Sequence, residues 1–314
     1  MPVKAFNYLI RVLCIVFFCS CHEPAVTIKE TKLLVNYPSG SALSFLDGRI
    51  YLVGDDAPGL LLMDEQLKIV GNIELVKASE KRIPKEVKQD LEAMAIVHSR
   101  NIASLLLIGS GSTEQRNVCR LITPGTPLPQ TYDLCGFYNR IKDAGIKSLN
   151  IEGAAGIPGG MVLASRGNKS FPVNYLVFTG KYFFKNPDSA DFKLTRAGTN
   201  GDTAFFNGIS GLEYAPGSDK LLLTISTENT YNSYTDGSIG KSYLWIINDI
   251  TTRKRFTHIN PDRIIDLEKE DPQFKGHKIE SVCLIKETRK DMELLLAADD
   301  DKGQTLLFKI LVRK

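Results

Sequence analysis

The sequence predicts an all-β fold, a single β-propeller of five blades whose ring is closed by a strand from the N-terminus. Segments of similar pattern recur about every 60 residues, which is typical of repeated structural units. Each segment contains short apolar strands that are separated by Gly, Asp and Asn turns. A spare strand, Ile28 to Val35, precedes the first segment, and the last segment ends after its third strand. This spare strand can complete the last blade and leave no unpaired edge.

The first residues of the chain predict export. Lys4 and Arg11 supply a basic region, and the apolar run Val12–Phe18 is too short to cross a bilayer, which needs about 20 residues. The ending Phe18-Cys19-Ser20-Cys21 resembles a bacterial lipobox. We therefore expect cleavage before Cys21 and lipidation of Cys21, which makes the membrane a partner. Ordinary cleavage without a lipid is the alternative.

These signals divide the chain into three parts. Residues 1–20 are the expected signal peptide, residues 21–27 a lipid-anchored tether, and residues 28–314 the propeller. The predicted location is the cell envelope of a Gram-negative bacterium, on the periplasmic side or at the cell surface. We expect the protein to be a monomer.

The repeats justify the blades in chain order, because each has an inner, a second and a third strand. Expected inner strands are Ser41–Phe45, Asp90–Met94, Asn150–Ala154, Ser210–Tyr214 and Lys278–Val282. Expected second strands are Ile50–Asp56, Leu105–Ser110, Met161–Asn168, Leu221–Asn229 and Leu294–Asp301. Expected third strands are Leu60–Asp64, Val118–Ile122, Asn174–Phe178, Ser242–Ile247 and Thr305–Leu311. Six blades are the alternative, because Phe183–Phe206 and Phe256–Leu267 are long enough to contain further strands.

Polar residues at the ends of these strands are the candidate site. Four inner strands carry a glutamate, and the first repeat has Ala42 at the counted position. In a propeller, inner strands begin and second strands end at the same mouth of the central channel. The predicted ligand-binding residues are Glu92, Glu152, Glu213, Glu280, Arg166, Asn168 and Glu228.

Carboxylates that converge at one mouth repel each other, so they need a cation, basic partners or raised pKa values. One hypothesis is a Ca²⁺ site, since Ca²⁺ takes six to eight oxygen ligands. Its predicted ligands are Glu152, Asp55, Asp299 and Asp300. The other hypothesis is structural: each glutamate accepts hydrogen bonds from the backbone of a neighbouring blade.

The third repeat resembles a known family. Asn150-Ile-Glu-Gly-Ala, followed by Ala164-Ser-Arg-Gly-Asn-Lys-Ser and Tyr175, resembles the β-propeller phytases, and the Glu-Gly/Ala element is similar to SdiA-regulated propellers. The resemblance covers residues 150–175. It implies that Glu152 is a calcium-site or phosphate-site carboxylate, with Arg166 and Asn168 in the adjoining turn. The family's Glu-Gly-Cys segment and Glu-Glu-Asp cluster are missing, so phytase activity does not follow.

The charge balance and the cysteines restrict the classes of function that the protein can have. Removing Lys4 and Arg11 with the signal peptide leaves 37 of the 39 basic residues against 36 acidic ones, which argues against a nucleic-acid partner. Cys119 and Cys135 could pair outside the cytosol. We predict an envelope module that binds a small molecule, glycan or envelope protein at the channel mouth without catalysis. The alternative is a phytase-like, calcium-dependent phosphoesterase or esterase, in which a metal-held water attacks.

Overall fold

The structure is a computed structural model that describes residues 24–77, 80–99, 101–123, 125–126, 128–198, 206–228, 239–253, 257–299 and 303–314. Within these residues, 21 strands form five sheets, which are the five blades of a propeller. In this described part of the chain, no helix is long and apolar enough to cross a membrane. Cys21 and the proposed signal peptide lie outside the described residues.

The strands of each blade follow one another from the axis outwards. Blade 1 consists of β2 (Gly40–Leu46), β3 (Arg49–Gly54), β4 (Gly59–Met63) and β5 (Ile69–Glu74). Blade 2 consists of β6 (Leu91–Ser99), β7 (Ile102–Gly109), β8 (Val118–Ile122) and β9 (Gln130–Asp133). Blade 3 consists of β10 (Ile151–Ile157), β11 (Gly160–Ser165), β12 (Asn174–Thr179), β13 (Phe192–Ala197) and β17 (His258–Ile259).

The last two blades contain the remaining strands. Blade 4 consists of β14 (Phe206–Ala215), β15 (Lys220–Glu228), β16 (Ile239–Ile247) and β18 (Arg263–Asp266). Blade 5 consists of β19 (Lys278–Glu287), β20 (Asp291–Asp299), β21 (Thr305–Arg313) and β1 (Val26–Leu34). The two long segments that could have held a sixth blade supply outer strands of blades 3 and 4 instead, so the prediction of five blades is confirmed.

The N-terminal strand closes the ring, as predicted. β1 pairs antiparallel with β21, from Val26 opposite Val312 to Leu34 opposite Thr305. Among the described residues, two α-helices lie outside the sheets, α1 (Cys135–Asp143) and α2 (Leu267–Glu270). The carboxylate of Glu270 in α2 accepts the backbone N–H of Ala25 at 2.7 Å and that of Val26 at 3.3 Å. This contact holds the start of the closing strand. All five blades and the strand that closes the ring lie within residues 24–314.

Burial explains the apolar runs that predicted the strands. The second strand of a blade is covered on both faces by the neighbouring blades, so consecutive residues are apolar. Leu105 to Ile108 in β7 are at most 2% exposed. Helix α1 inserts Phe137, Tyr138 and Ile141 into the core between blades 2 and 3. Cys119 and Cys135 are free thiols here, and Cys119 is buried.

A bulge near the start of each inner strand determines how the channel is built. The residue after the bulge is small in all five blades, because the inner strands approach each other closely around the axis. These residues are Ala42, Ala93, Gly153, Gly211 and Ser281. A Cβ at Gly153 would lie 2.6 Å from the Cβ of Leu212 and 2.7 Å from its backbone N. The small residue after the glutamate is therefore a packing requirement of the channel.

Candidate functional site at the charged mouth of the channel

Ionic side chains meet at the end of the channel where the inner strands begin. We call this end the charged mouth and define it by Asp55, Lys88, Asp90, Glu92, Glu152, Arg166, Lys278 and Glu280. Carboxylate oxygens of Asp55, Asp90 and Glu92 lie within 4.8 Å of one another, although these residues belong to different blades or to the segment between them. Glu92, at an inner-strand start, and Asp55, at a second-strand end, thus meet as expected.

Lys88 is the cation at the centre of this carboxylate group. Its ammonium contacts Asp55 and lies 2.8 Å from Oδ1 of Asp90, and its side chain is only 11% exposed. Arg116 Nη1 lies 2.7 Å from Oδ2 of Asp90, and the Ser110 hydroxyl donates to the same oxygen at 2.6 Å. Asp90 therefore has partners on both oxygens, and its backbone is in the left-handed region with a φ of 55°.

Glu92 differs from its neighbours because no hydrogen bond or ion pair reaches its carboxyl among the described residues. Burial raises the pKa of Glu92 well above its usual value, and the nearby charges of Asp90, Asp55 and Glu152 raise it further, against the effect of Lys88. Burial also raises the pKa of Asp55, whose Oδ1 is buried without a hydrogen-bond partner in the described part of the chain. Among the described residues, the site thus holds carboxyl oxygens with unused capacity for hydrogen bonds.

The other two glutamates of the mouth have partners within reach. Asn150 Nδ2 donates to Oε1 of Glu152 at 2.5 Å, and Arg166 Nη1 lies 4.0 Å from Oε2. Lys278 Nζ lies 2.6 Å from Oε1 of Glu280. Basic partners and raised pKa values therefore relieve the repulsion expected from the sequence.

The absence of a side chain at Gly208 leaves the space that the Arg166 side chain occupies. A Cβ at Gly208 would lie 2.5 Å from Nε of Arg166, so only a residue without a side chain leaves room for the guanidinium. Arg166 is 8% exposed. The side chain is thereby held between blades 3 and 4, next to Glu152.

The prediction that Glu213 occupies the same position in its inner strand as the other glutamates is wrong. Glu92, Glu152 and Glu280 occupy the bulge of their strands, whereas the bulge of β14 is at Ser210. Glu213 comes three residues later and lies in a cavity at the opposite end of the channel. In blade 1 the equivalent residue is Ser41 rather than Ala42. The signal that could have shown this is the small residue after each bulge, which follows Ser210 and Ser41 as it follows Glu152.

The remaining predicted residues have different surroundings. The amide of Asn168 donates to Ser148 Oγ at 3.1 Å, and its oxygen accepts the N–H of Phe171 at 2.9 Å, so Asn168 stabilises its own loop. Asp299 ends β20 and interacts electrostatically with Arg82. Glu228 ends β15, but its side chain lies outside the described residues, as does the whole of Asp300.

The sequence did not indicate which ionic groups stabilise the charged mouth. Lys88, Asp90 and Arg116 were not candidates, although they are the best-connected ions of the site. A further pair joins Arg82 Nε to Oδ2 of Asp56 at 2.5 Å. This hydrogen bond is the main reason why the pKa of Arg82 is raised. No spacing signal distinguishes these residues from ordinary loop charges, because their partners lie in other blades.

The fold and this site define a five-bladed β-propeller with an ionic group at one end of its channel. The chain belongs to the family of unknown function DUF6929, whose profile matches residues 36–312. A search of curated protein sequences found no match.

Three solved structures are similar to the chain over most of its length. The glutaminyl cyclase of Myxococcus xanthus is 12% identical, with 92% of this chain and 97% of that chain covered and a TM-score of 0.50. Virginiamycin B lyase from Staphylococcus aureus is 11% identical, with 90% and 100% covered and a TM-score of 0.36. AztD from Citrobacter koseri is 11% identical, with 88% and 75% covered and a TM-score of 0.30. At such low identity, the likeness to the cyclase shows the fold alone.

Proposed function

We propose that the protein is a lipid-anchored envelope propeller that binds a small polar ligand at the charged mouth. The observation that carries this proposal is Oδ1 of Asp55, which is buried without a hydrogen-bond partner in the described part of the chain and lies beside Glu92 and Asp90. Buried polar groups are normally hydrogen-bonded, so a group left without a partner calls for an explanation. A ligand with ammonium or hydroxyl donors would satisfy both Glu92 and Oδ1 of Asp55.

Calcium is the second ligand to be considered, since Asp55, Asp90 and Glu92 bring oxygens within 4.8 Å of one another. Ca²⁺ requires six to eight oxygens, however, and Lys88 already places an ammonium against two of these carboxylates. The residues present therefore fit a Ca²⁺ ion only if the ammonium of Lys88 moves away. This competition favours an organic ligand over the metal.

The proposal is tested on soluble protein comprising residues 24–314. Amino sugars, neutral sugars, inorganic phosphate and Ca²⁺ are added separately, and the melting temperature is measured. A ligand at about 100 times its Kd stabilises the folded state by about 2.7 kcal/mol, which raises the melting temperature by several degrees. Glu92→Gln should remove the shift, whereas Glu74→Gln, on the exposed outer strand of blade 1, should retain it.

Two results would contradict this function. If no added compound changes the melting temperature, the charged mouth is a purely structural ionic network. If Glu92→Gln retains the full shift, the ligand binds elsewhere. A shift produced by Ca²⁺ alone, and lost in Glu92→Gln, would assign the mouth to the metal instead.

The lipid anchor is tested separately. Each buried methylene contributes about 0.8 kcal/mol to membrane binding, so a multiply acylated Cys21 would hold the propeller at the membrane. Mass spectrometry of the N-terminal peptide should find the lipid on Cys21, and Cys21→Ser should release the protein from membranes. Cys19→Ser is the matched control and should leave it bound. A membrane-bound Cys21→Ser protein would contradict the anchor.

A phytase-like phosphoesterase is the second candidate function, and the observation in its favour is the Glu152–Arg166 pair within the segment that resembles the phytases. In this function, Arg166 would bind the phosphate of the substrate. Turnover of phosphate esters that disappears in Glu152→Gln but persists in Glu74→Gln would support it. A complete lack of turnover, with or without Ca²⁺, would leave only the binding function.

A further inference from the structure

The opposite end of the channel contains a cavity with a different chemistry. Its volume is about 500 Å³, which lies in the range of about 300–1,000 Å³ that is usual for small-molecule sites. We call it the apolar mouth and define it by Phe45, Met94, Ile157, Tyr214, Pro216 and Leu284. These residues come from the far ends of inner strands and the turns that follow them. The cavity lies along the later residues of the inner strands, whereas the ionic residues of the charged mouth lie at the starts of those strands or in the segments beside them.

One acidic group lies in this apolar wall. Oε1 of Glu213 accepts the backbone N–H of Tyr214 at 2.8 Å, and Oε2 accepts that of Leu284 at 3.4 Å. Among the described residues, no basic side chain forms an ion pair with Glu213. Burial raises the pKa of Glu213 to about 7, although the two backbone hydrogen bonds lower it. The backbone thus orients a carboxyl group whose charge is not balanced by a neighbour.

The lysine at the rim of the cavity is engaged elsewhere. Lys181 Nζ donates to the backbone oxygen of His98 at 3.5 Å and lies 4.8 Å from the centre of the Tyr182 ring. The thiol of Cys283 is fully buried close to Glu213. Neither group supplies a positive charge to the carboxyl.

We propose that the apolar mouth binds a small organic amine, whose ammonium pairs with Glu213 and whose hydrocarbon part packs against Phe45, Met94 and Leu284. A carboxylate in apolar surroundings is unfavourable unless it is paired. An ammonium group supplies that pairing, and its hydrocarbon part gains free energy by leaving water. The site is independent of the ligand proposed for the charged mouth, since it uses other residues at the other end of the channel.

The test uses hexylamine as the probe and residues 24–314 as the protein, with binding measured by calorimetry. Hydrogen bonds to charged groups are strong enough that losing this pair should weaken binding about ten- to hundredfold. Glu213→Gln should show that loss. Hexanol, which has the same hydrocarbon chain but no charge, should bind at least tenfold more weakly than hexylamine. Glu92→Gln, at the charged mouth, should leave the affinity for hexylamine unchanged.

A second variant covers the case in which Glu213→Gln does not fold. Leu284→Trp keeps the carboxylate but fills part of the cavity, so it should also weaken the binding of hexylamine. Three results would overturn the proposal: no binding of hexylamine to the wild-type protein, equal binding of hexanol and hexylamine, or unchanged affinity in the folded variants of the cavity. Loss of binding in Glu92→Gln alone would assign the amine to the charged mouth and would equally overturn it.

Discussion

Replacing Lys88 by methionine should destabilise the propeller, because it leaves the carboxylates of the charged mouth without their central cation. At the 2.8 Å between Nζ and Oδ1 of Asp90, the attraction is about 6 kcal/mol for an effective dielectric constant of about 20. Part of this energy compensates for the burial of Lys88, whose side chain is 11% exposed. Removing one partner of a buried ion pair costs about 3–5 kcal/mol, which is the loss that we expect at neutral pH.

The pH dependence separates this electrostatic cause from lost packing. Lys88 lowers the raised pKa values of Asp55 and Glu92, so the variant should raise both further. A carboxyl with a higher pKa in the folded state binds more protons there than in the unfolded state, so folding stability falls as the pH rises. The loss in Lys88→Met should therefore be largest at about pH 8 and smaller at about pH 5.

Urea unfolding of residues 24–314 at the two pH values measures this effect. Lys77→Met removes an exposed lysine that precedes the same inter-blade segment, and it should change the free energy of unfolding little at either pH. A loss in Lys88→Met below about 1 kcal/mol, or one equal at both pH values, would refute the electrostatic account.

Three further changes test the ring and its channel. Gly153→Val should destabilise the fold by at least about 1–3 kcal/mol, since even its Cβ would lie 2.6 Å from a side chain on the neighbouring inner strand, whereas Gly180→Ala, in open space, should not. Glu270→Gln should speed amide exchange at the start of the closing strand, and Glu268→Gln should not. Wild-type stability should decrease from about pH 5 to about pH 7 in part because Glu213 has a folded pKa of about 7 instead of 4.5, and Glu213→Gln should reduce that decrease.

Much of the fold could be predicted because its signals are local. The apolar run Leu105–Ile108 identifies a strand that is covered on both faces, and the same run recurs in each blade. The spare strand before the first repeat indicated how the ring closes, and the structure pairs it with β21, although it begins two residues earlier than expected.

The candidate site was harder to predict, since its partners belong to different blades. Glu213 matched the spacing of Glu92 and Glu152, but a bulge at Ser210 places it at the other end of the channel. A bulge changes which face each following side chain points to, and counting along the chain does not reveal where the bulge lies. Lys88 and Arg116 likewise have no sequence pattern that marks them.

The sequence by itself predicted the propeller and its five blades, since strand patterns and turns depend on neighbouring residues. It also placed the start of every inner strand within one residue except in blade 4, where β14 begins at Phe206 instead of Ser210. Only the tertiary structure decided which charges meet. The group of Asp55, Lys88, Asp90 and Glu92 forms because two blades place their loops over one channel mouth. Glu213 is separated from that group because the register of β14 turns it towards the apolar mouth. Such contacts depend on distances across the ring, and neither composition nor spacing along the chain contains those distances.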